Sequence, residues 1–345
     1  MEEKATQSRK QQHVELCVNE NVTFHKKTNG FENYEFIHNA LPECNFSEIS
    51  TETNFLGIQC GMPLLISCMT GGYPDAERIN RELAEVCENL KLPMGVGSQR
   101  QALENSSLHR SFQIVRESAP SIPILSNIGA PEVAMMQSSA SVQRIIDLIS
   151  ADALVIHLNP LQELLQPEGS PNFRGVLNSI ERLVKELEIP VIVKEVGAGI
   201  SGDVAKRLLS VGVSGIDVAG AGGTSWAGVE ILRNEEKESI SQFWDWGIPT
   251  AECLEQVTPL KSDYRFTIIS SGGISSAMEI ALSLALGADF CASARPMLTA
   301  LMTGGQRLLY DVLDGLKLDL RRIQFLVGAV HSSELRNIGI RKNIK

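Results

Sequence analysis

Eight short apolar runs alternate with longer stretches of helical periodicity from about residue 60 onward, and few folds can absorb that pattern. The runs cover residues 63–67, 93–96, 123–126, 153–156, 191–193, 215–218, 267–270 and 290–293. Between them, residues 75–90, 107–118, 141–149, 173–187, 202–209 and 275–286 read as helices, several opening on a Ser or Asp that can cap the first turn. Eight strand–helix units fit a closed (β/α)8 TIM barrel with an N-terminal extension. A doubly wound open sheet is the structural competitor, but it rarely needs eight near-identical units. The expected organisation is one barrel over residues 61–345, preceded by an arm, residues 1–60, that covers the site. The stretch 220–246 is too long for an ordinary loop and is a second candidate lid.

Composition narrows the class of function. At 345 residues, 43% hydrophobic and 21% charged, the chain has the makeup of an ordinary soluble protein with one large core. A net charge of -10, from 31 basic and 41 acidic residues, argues against a nucleic-acid partner, which would need a basic surface. Seven cysteines without a CxxC pair read as reduced thiols rather than a disulfide framework or zinc site. The start, MEEKATQSRKQQ, lacks the apolar core of a signal peptide, and no run approaches the roughly 20 apolar residues of a membrane span. The expectation is a cytoplasmic enzyme with no membrane partner.

In such barrels the carboxyl ends of the strands form the active face, so polar residues there read as chemistry. HLNPLQE, residues 157–163, places a histidine, two amides and a carboxylate directly after the run 153–156. Gly71 with Gly72, Gly95 and Gly97, Gly220 with Gly222 and Gly223, and Gly272 with Gly273 all follow proposed strands. Glycine there lets backbone amides approach a phosphate or a flat ring, although any one pair alone reads equally as a tight turn. SSGGI, followed by CASARP, fits the phosphate site that barrels build after strands seven and eight, with Arg295 as charged donor. There is no Walker sequence, and the GxG fragments lack a dinucleotide context, so the phosphate is that of a mononucleotide such as FMN.

A set of motifs then carries a family resemblance: HNALPE at 38–43, MTGG at 69–72, GVGSQR at 95–100, NIGA at 127–130, HLNPLQE, VIVKEVGAGIS at 191–201, DVAGAGGTSW at 217–226 and SGGI at 271–274. Taken in order over nearly the whole chain, they resemble the type 2 isopentenyl-diphosphate isomerases. The resemblance implies an FMN-dependent barrel, a homo-oligomer (tetramer or octamer), that interconverts isopentenyl and dimethylallyl diphosphate. It implies reduced FMN, Mg²⁺ and NADPH or NADH as reductant. Carried over by position, Cys68, Met69 and Thr70 border the flavin ring, with Ser98, Asn127, Lys194 and Thr224 as further contacts. Gly272, Gly273, Ala294 and Arg295 hold its phosphate. Arg9, Lys10, Ser98, Arg100, His157, Asn159 and Gln162 take the substrate, Gln162 is the catalytic positioning residue beside FMN N5, and Glu163 binds the metal. Relatives often carry a small residue at position 68 and a basic one just after SGGI, where this chain has Cys68 and Ser275–Ser276.

Plainer readings compete at several positions. Arg9 and Lys10 alone read as a solvated pair in a mobile terminus, and His157 as a satisfied core histidine or one that orients Glu163 or a substrate oxygen. Lys194 could pair with Glu195 or Asp217, and Trp226, Trp244 and Trp246 read as packing for the long loop rather than site residues. Two other functions compete: an FMN barrel that oxidises 2-hydroxy acids, and a non-catalytic flavin or phospho-ligand sensor. The first needs a histidine base near the late strands, and the chain has no histidine between His157 and His331.

Overall fold

The structure, a computed structural model, describes residues 2–234 and 237–343. The chain opens with α1 (Glu2–Asn19), β1 (Tyr34–Phe36) and a hairpin of β2 (Thr53–Phe55) and β3 (Ile58–Cys60). The repeats follow as β4 (Leu64–Ile66), α2 (Ala76–Leu90), β5 (Met94–Gly95), α3 (Arg100–Glu104), α4 (Arg110–Ser118) and β6 (Ile124–Gly129). Next come α5 (Ala130–Met135), α6 (Ala140–Leu148), β7 (Ala153–His157), α7 (Pro160–Leu165), α8 (Val176–Glu186) and β8 (Val191–Lys194). After these lie α9 (Gly202–Ser210), β9 (Gly215–Asp217), α10 (Trp226–Arg233), α11 (Lys237–Ile240) and α12 (Thr250–Val257). The last elements are β10 (Thr267–Ser270), α13 (Ala277–Ala285), β11 (Phe290–Ser293), α14 (Arg295–Val327, broken at Gly305) and β12 (Ile340–Lys342).

β4 to β11 close into an eight-stranded parallel barrel in chain order, with β11 pairing back to β4 through Cys291, Ala292 and Ser293 against Leu64, Leu65 and Ile66. Closure decides against the open sheet. The strands are mostly apolar because both faces are buried, with buried Ser126 and Asn127 interrupting β6. Ile66, Ile124, Leu154, Val193, Ile216 and Ile268 join the cluster that packs beneath the helices. Their neighbours Leu65, Leu125, Ala153, Val155, Ile192, Ile269, Phe290 and Ala292 form a second cluster, the lumen. That lumen is filled in layers rather than left as a pore.

The β2–β3 hairpin completes the filling. Leu56 and Gly57 both hold positive φ (53° and 83°), the geometry a two-residue hairpin turn needs. The turn sets Phe55 against Phe290, ring centroids 4.7 Å apart, at the amino end of the lumen. Residues 53–60, expected as part of a lid, therefore close the end opposite the cavity described below. α1 and residues 22–30 run over the carboxyl ends instead. Ser225 N donates to Val22 O at 2.7 Å, Trp244 Nε1 donates to Thr23 O at 2.8 Å, and His25 stacks on Trp244 at 4.3 Å. The two expected lids are thus strapped to each other.

Candidate active site

The carboxyl ends of the strands surround a cavity of about 390 Å³, within the range of small-molecule sites. Every site residue expected from the sequence lines it, from Arg9 and Lys10 on α1 to Arg295 on α14.

On one side lies a glycine cradle. Gly272 and Gly273 adopt φ of 100° and 79°, and a Cβ on Gly272 would fall 2.1 Å from Gly220 O. No other residue fits there. Thr250 Oγ1 donates to Gly272 O at 2.6 Å and fixes the turn. Beside it, Arg295 opens α14 after Ala294, and its Nη1 is buried without a hydrogen-bond partner. A buried guanidinium donor left unpaired is costly and is the feature an anion would satisfy. The amides of Ser275 and Ser276, by contrast, both donate to Glu279 Oε2 (2.8 and 2.9 Å), so α13 closes its own first turn with a capping box.

The adjoining rim is the loop after β4. A Cβ on Gly95 would meet Cys68 Sγ at 2.4 Å, and one on Gly97 would meet Thr70 O at 2.7 Å, so both glycines exist to let this loop pass. Burial pushes the Cys68 thiol up to about 12, which keeps it neutral and unreactive. Across the barrel, Lys194 Nζ donates to the carbonyl of Glu195 at 2.5 Å. The Glu195 carboxylate is turned to the amides of Val196 and Gly197 (2.6 Å each), so the side-chain pair considered from sequence does not form. Burial raises the Asp217 carboxyl against the opposing charge of Lys194, and Ser271 Oγ donates to it at 2.5 Å.

HLNPLQE spans the end of β7 and the first turn of α7. His157 Nδ1 lies 2.9 Å from Asn127 Oδ1. Burial, then the charges of Lys194 and Lys10, lower its pKa to about 3, so the ring is neutral at ordinary pH. Asn159 Nδ2 donates to Glu163 Oε1 at 2.9 Å, and Ser170 N donates to Glu163 Oε2 at 2.7 Å. Gln162 Nε2 donates to Glu230 Oε1 at 3.1 Å. Among the described residues, no three His, Cys, Asp or Glu side chains are grouped to hold a metal. Glu163 stands as a single carboxylate.

α1 closes the cavity with Arg9, Lys10, His13, Val14 and Cys17. Lys10 Nζ donates to Gly71 O at 2.6 Å and to Ser98 O at 2.9 Å. Burial, with Arg9 and Arg100 nearby, pulls its pKa down to about 7. Burial also lowers that of Arg9, against the charges of Glu168 and Glu163. Arg100 Nε donates to Glu104 at 3.0 Å and its Nη1 to Glu132 at 3.3 Å; these partners outweigh burial and raise its pKa.

Two residues at this site escaped sequence reasoning. Glu230 is wholly buried, donates nothing, and receives Arg233 Nη1 at 2.5 Å as well as Gln162. His13 Nε2 approaches its Oε1 to 2.9 Å, out of line for a hydrogen bond, and burial lowers the pKa of the imidazole. Burial pushes the Glu230 carboxyl up, and His13, Arg233 and Gln162 together bring it below its ordinary value. The signal was a lone carboxylate inside the apolar run AGVEIL. Trp226, expected only to pack the loop, lines the cavity and meets His13 edge-on at 5.1 Å.

Comparison with known proteins bears on the family and on the fold. The pattern of the FMN-dependent dehydrogenase family matches residues 2–117 and 136–342. The fold resembles a lactate oxidase of Pediococcus acidilactici (TM-score 0.71, 16% identity, 98% of this chain and 94% of that one). It also resembles flavocytochrome b2 (TM-score 0.70, 17% identity, 96% and 82%). At those identities the likeness is one of fold. An isopentenyl-diphosphate delta-isomerase of Chlorobaculum parvum is 48% identical over 97% of each chain, and one of a Nostoc species is 42% identical over 97% of this chain and 95% of its own. The closed barrel, together with a family pattern that matches most of the chain, places it in the class of FMN-dependent barrels. Within that class it belongs to the type 2 isopentenyl-diphosphate delta-isomerase family. No helix among the described residues is long and apolar enough to cross a membrane.

Proposed function

We propose that this chain interconverts isopentenyl diphosphate and dimethylallyl diphosphate in isoprenoid biosynthesis, by a 1,3-allylic proton shift with reduced FMN and Mg²⁺. One observation carries the reading: a single cavity is lined by two sets of groups able to receive an anion. The glycine cradle with the unpaired Arg295 suits a cofactor phosphate, and the Arg9, Lys10 and Arg100 side suits a substrate diphosphate. A hydroxy-acid oxidase is disfavoured because His331 bridges to Ser50 and does not line the cavity.

The residues present fit FMN. Gly272, Gly273, Ala294 and Arg295 would hold its phosphate, and Cys68, Met69, Thr70, Ser98, Asn127, Lys194 and Thr224 its ring and chain. Reduced FMN supplies an electron-rich ring and a titratable N5, the acid and base that a weakly basic alkene needs. The Lys194 ammonium favours an anionic ring. Gln162, held between Asn159 and Glu230, positions the reacting carbons; its amide has no useful pKa and does not move the proton. His157 and Asn159 meet the substrate as neutral groups. Glu163 fits Mg²⁺ in the way one carboxylate does when phosphate oxygens and water complete the shell. NADPH or NADH would supply the reducing equivalents, residues 1–60 form the arm, with 53–60 turned to the far end of the lumen, residues 61–345 the barrel, and the chain works as a tetramer or octamer.

The test is anaerobic incubation with FMN, Mg²⁺, isopentenyl diphosphate and limiting NADPH. Many molecules of dimethylallyl diphosphate per NADPH are expected. Flavin reduction without that product would point to an oxidoreductase or sensor, and no flavin binding would remove the reading altogether.

A further inference from the structure

Beneath the loop after β4 lies a polar cluster that the site residues do not explain. Asn80, on the buried face of α2, has no solvent exposure and does not line the cavity. Its Nδ2 donates to Ser111 O at 2.7 Å and to Thr70 O at 3.3 Å. Both partners are carbonyls, so the amide has only one orientation that works, with Oδ1 turned to the Thr70 hydroxyl. An amide oxygen cannot donate. Thr70 therefore gives its only O–H proton to Asn80, and toward the cavity its Oγ1 can only accept. Ser111 Oγ fixes the same loop by accepting from Gly72 N at 3.0 Å while donating to Leu108 O at 2.7 Å.

We propose that Asn80 is a positioning residue that makes Thr70 an obligate acceptor toward the flavin ring and so biases the site to reduced FMN. The inference rests on the flavin reading above. A flavin ring carries an N3–H in every state and gains an N5–H on reduction, whereas oxidised N5 offers a lone pair. Which of the two meets Thr70 follows from the barrel. Thr70 follows β4 and Lys194 ends β8, four strands away in a closed ring of eight, so they sit on opposite sides of the mouth. The Lys194 ammonium suits the pyrimidine half, where N3 and the negative charge lie. Thr70, across from it, is placed for N5. An acceptor there attracts the reduced N5–H and repels the oxidised lone pair.

The experiment measures dissociation constants of oxidised and dithionite-reduced FMN, and the midpoint potential of the bound flavin, in the full chain. In Asn80→Ala the Thr70 hydroxyl is free to turn and donate. The preference for reduced over oxidised FMN is expected to fall about tenfold, lowering the midpoint by about 30 mV for a two-electron couple. Thr70→Val should show the same shift, and the double variant no more than either alone. Asn80→Asp, measured at a pH low enough to keep this buried carboxyl protonated, still donates to Ser111 O and accepts from Thr70, and should stay close to the unaltered protein. A folded Asn80→Ala or Thr70→Val with the original ratio overturns the proposal, as does an equal loss for both redox forms, which is what loop damage alone would give. If Asn80→Ala does not melt cooperatively, Asn80→Asp decides: a shift as large as that of Thr70→Val counts against Asn80. Unaltered protein that binds FMN in neither state brings down the flavin reading itself.

Discussion

Lys10 shows how position rewrites a side chain. A lysine in a mobile terminus titrates near 10.5; here burial beside Arg9 and Arg100 brings it to about 7 while it holds Gly71 and Ser98. The folded pKa lies below the unfolded one, so between about 7 and 10.5 the unfolded chain carries a proton that the folded chain has released. Stability therefore gains from Lys10 as pH rises through that window, and the cost of burying its charge is fully present below it. An arriving diphosphate reverses the balance by favouring the charged form. Binding above pH 7 is expected to take up a proton and to weaken as pH climbs, measurable by calorimetry in buffers of different ionisation enthalpy; Lys10→Met should abolish the uptake. Glu163→Gln is expected to raise the KM for isopentenyl diphosphate by on the order of tenfold and to blunt its Mg²⁺ dependence. An unchanged Mg²⁺ requirement would speak against Glu163 as the ligand. Gln162→Ala should lower kcat at least tenfold in steady-state assays, and a near-normal rate would leave Gln162 without an essential role. Most of these residues were legible because they sit in short motifs at strand ends. Glu230 and His13 were not, since their contact joins α1 to α10 and belongs to no local pattern.

At the level of elements, the barrel strands were readable because parallel strands covered on both faces become mostly apolar runs. Helix starts were less so. Residues 107–118 read as one helix, but Asn105 caps a separate 3-10 turn, Ser106–Leu108, before α4 begins at Arg110. Residues 173–187 begin later than expected because Gly175, at φ 81°, holds the chain out of the helix until Val176. β1, β2, β3 and β12 have three residues each, too few to show a period, and were missed. Of the described side chains of α1, from Arg9 onward, Cys17 alone is buried, and the value of the helix lies in what it brings to the cavity. Removing residues 2–19 is expected to leave FMN affinity within a fewfold of the full chain while raising KM by two orders of magnitude or more, since it deletes two cationic donors. Comparable losses of flavin would mean that α1 supports the barrel rather than the substrate side.

For the whole molecule, the hydrophobic pattern specified strand and helix but not closure, which depends on β11 meeting β4 across the entire repeat. Nor did it reveal that the lumen is stoppered from below. Phe55→Ala would empty part of that stopper and is expected to cost about 3–5 kcal/mol in denaturant unfolding, with FMN affinity little changed because the cavity lies at the other mouth. A parallel loss of flavin binding would show that the two ends communicate. The pairing of β1 with β12 has a different implication, one of timing. Tyr34, Glu35 and Phe36 find their ladder partners in Lys342, Arg341 and Ile340, and Glu35 meets Arg341 across 306 residues of sequence. During synthesis every barrel strand leaves the ribosome before that partner exists. The β1–β12 ladder can therefore close only once nearly the whole chain has been made, whereas the segment that follows α1 finds its partners, Ser225 and Trp244, well before β12 is made.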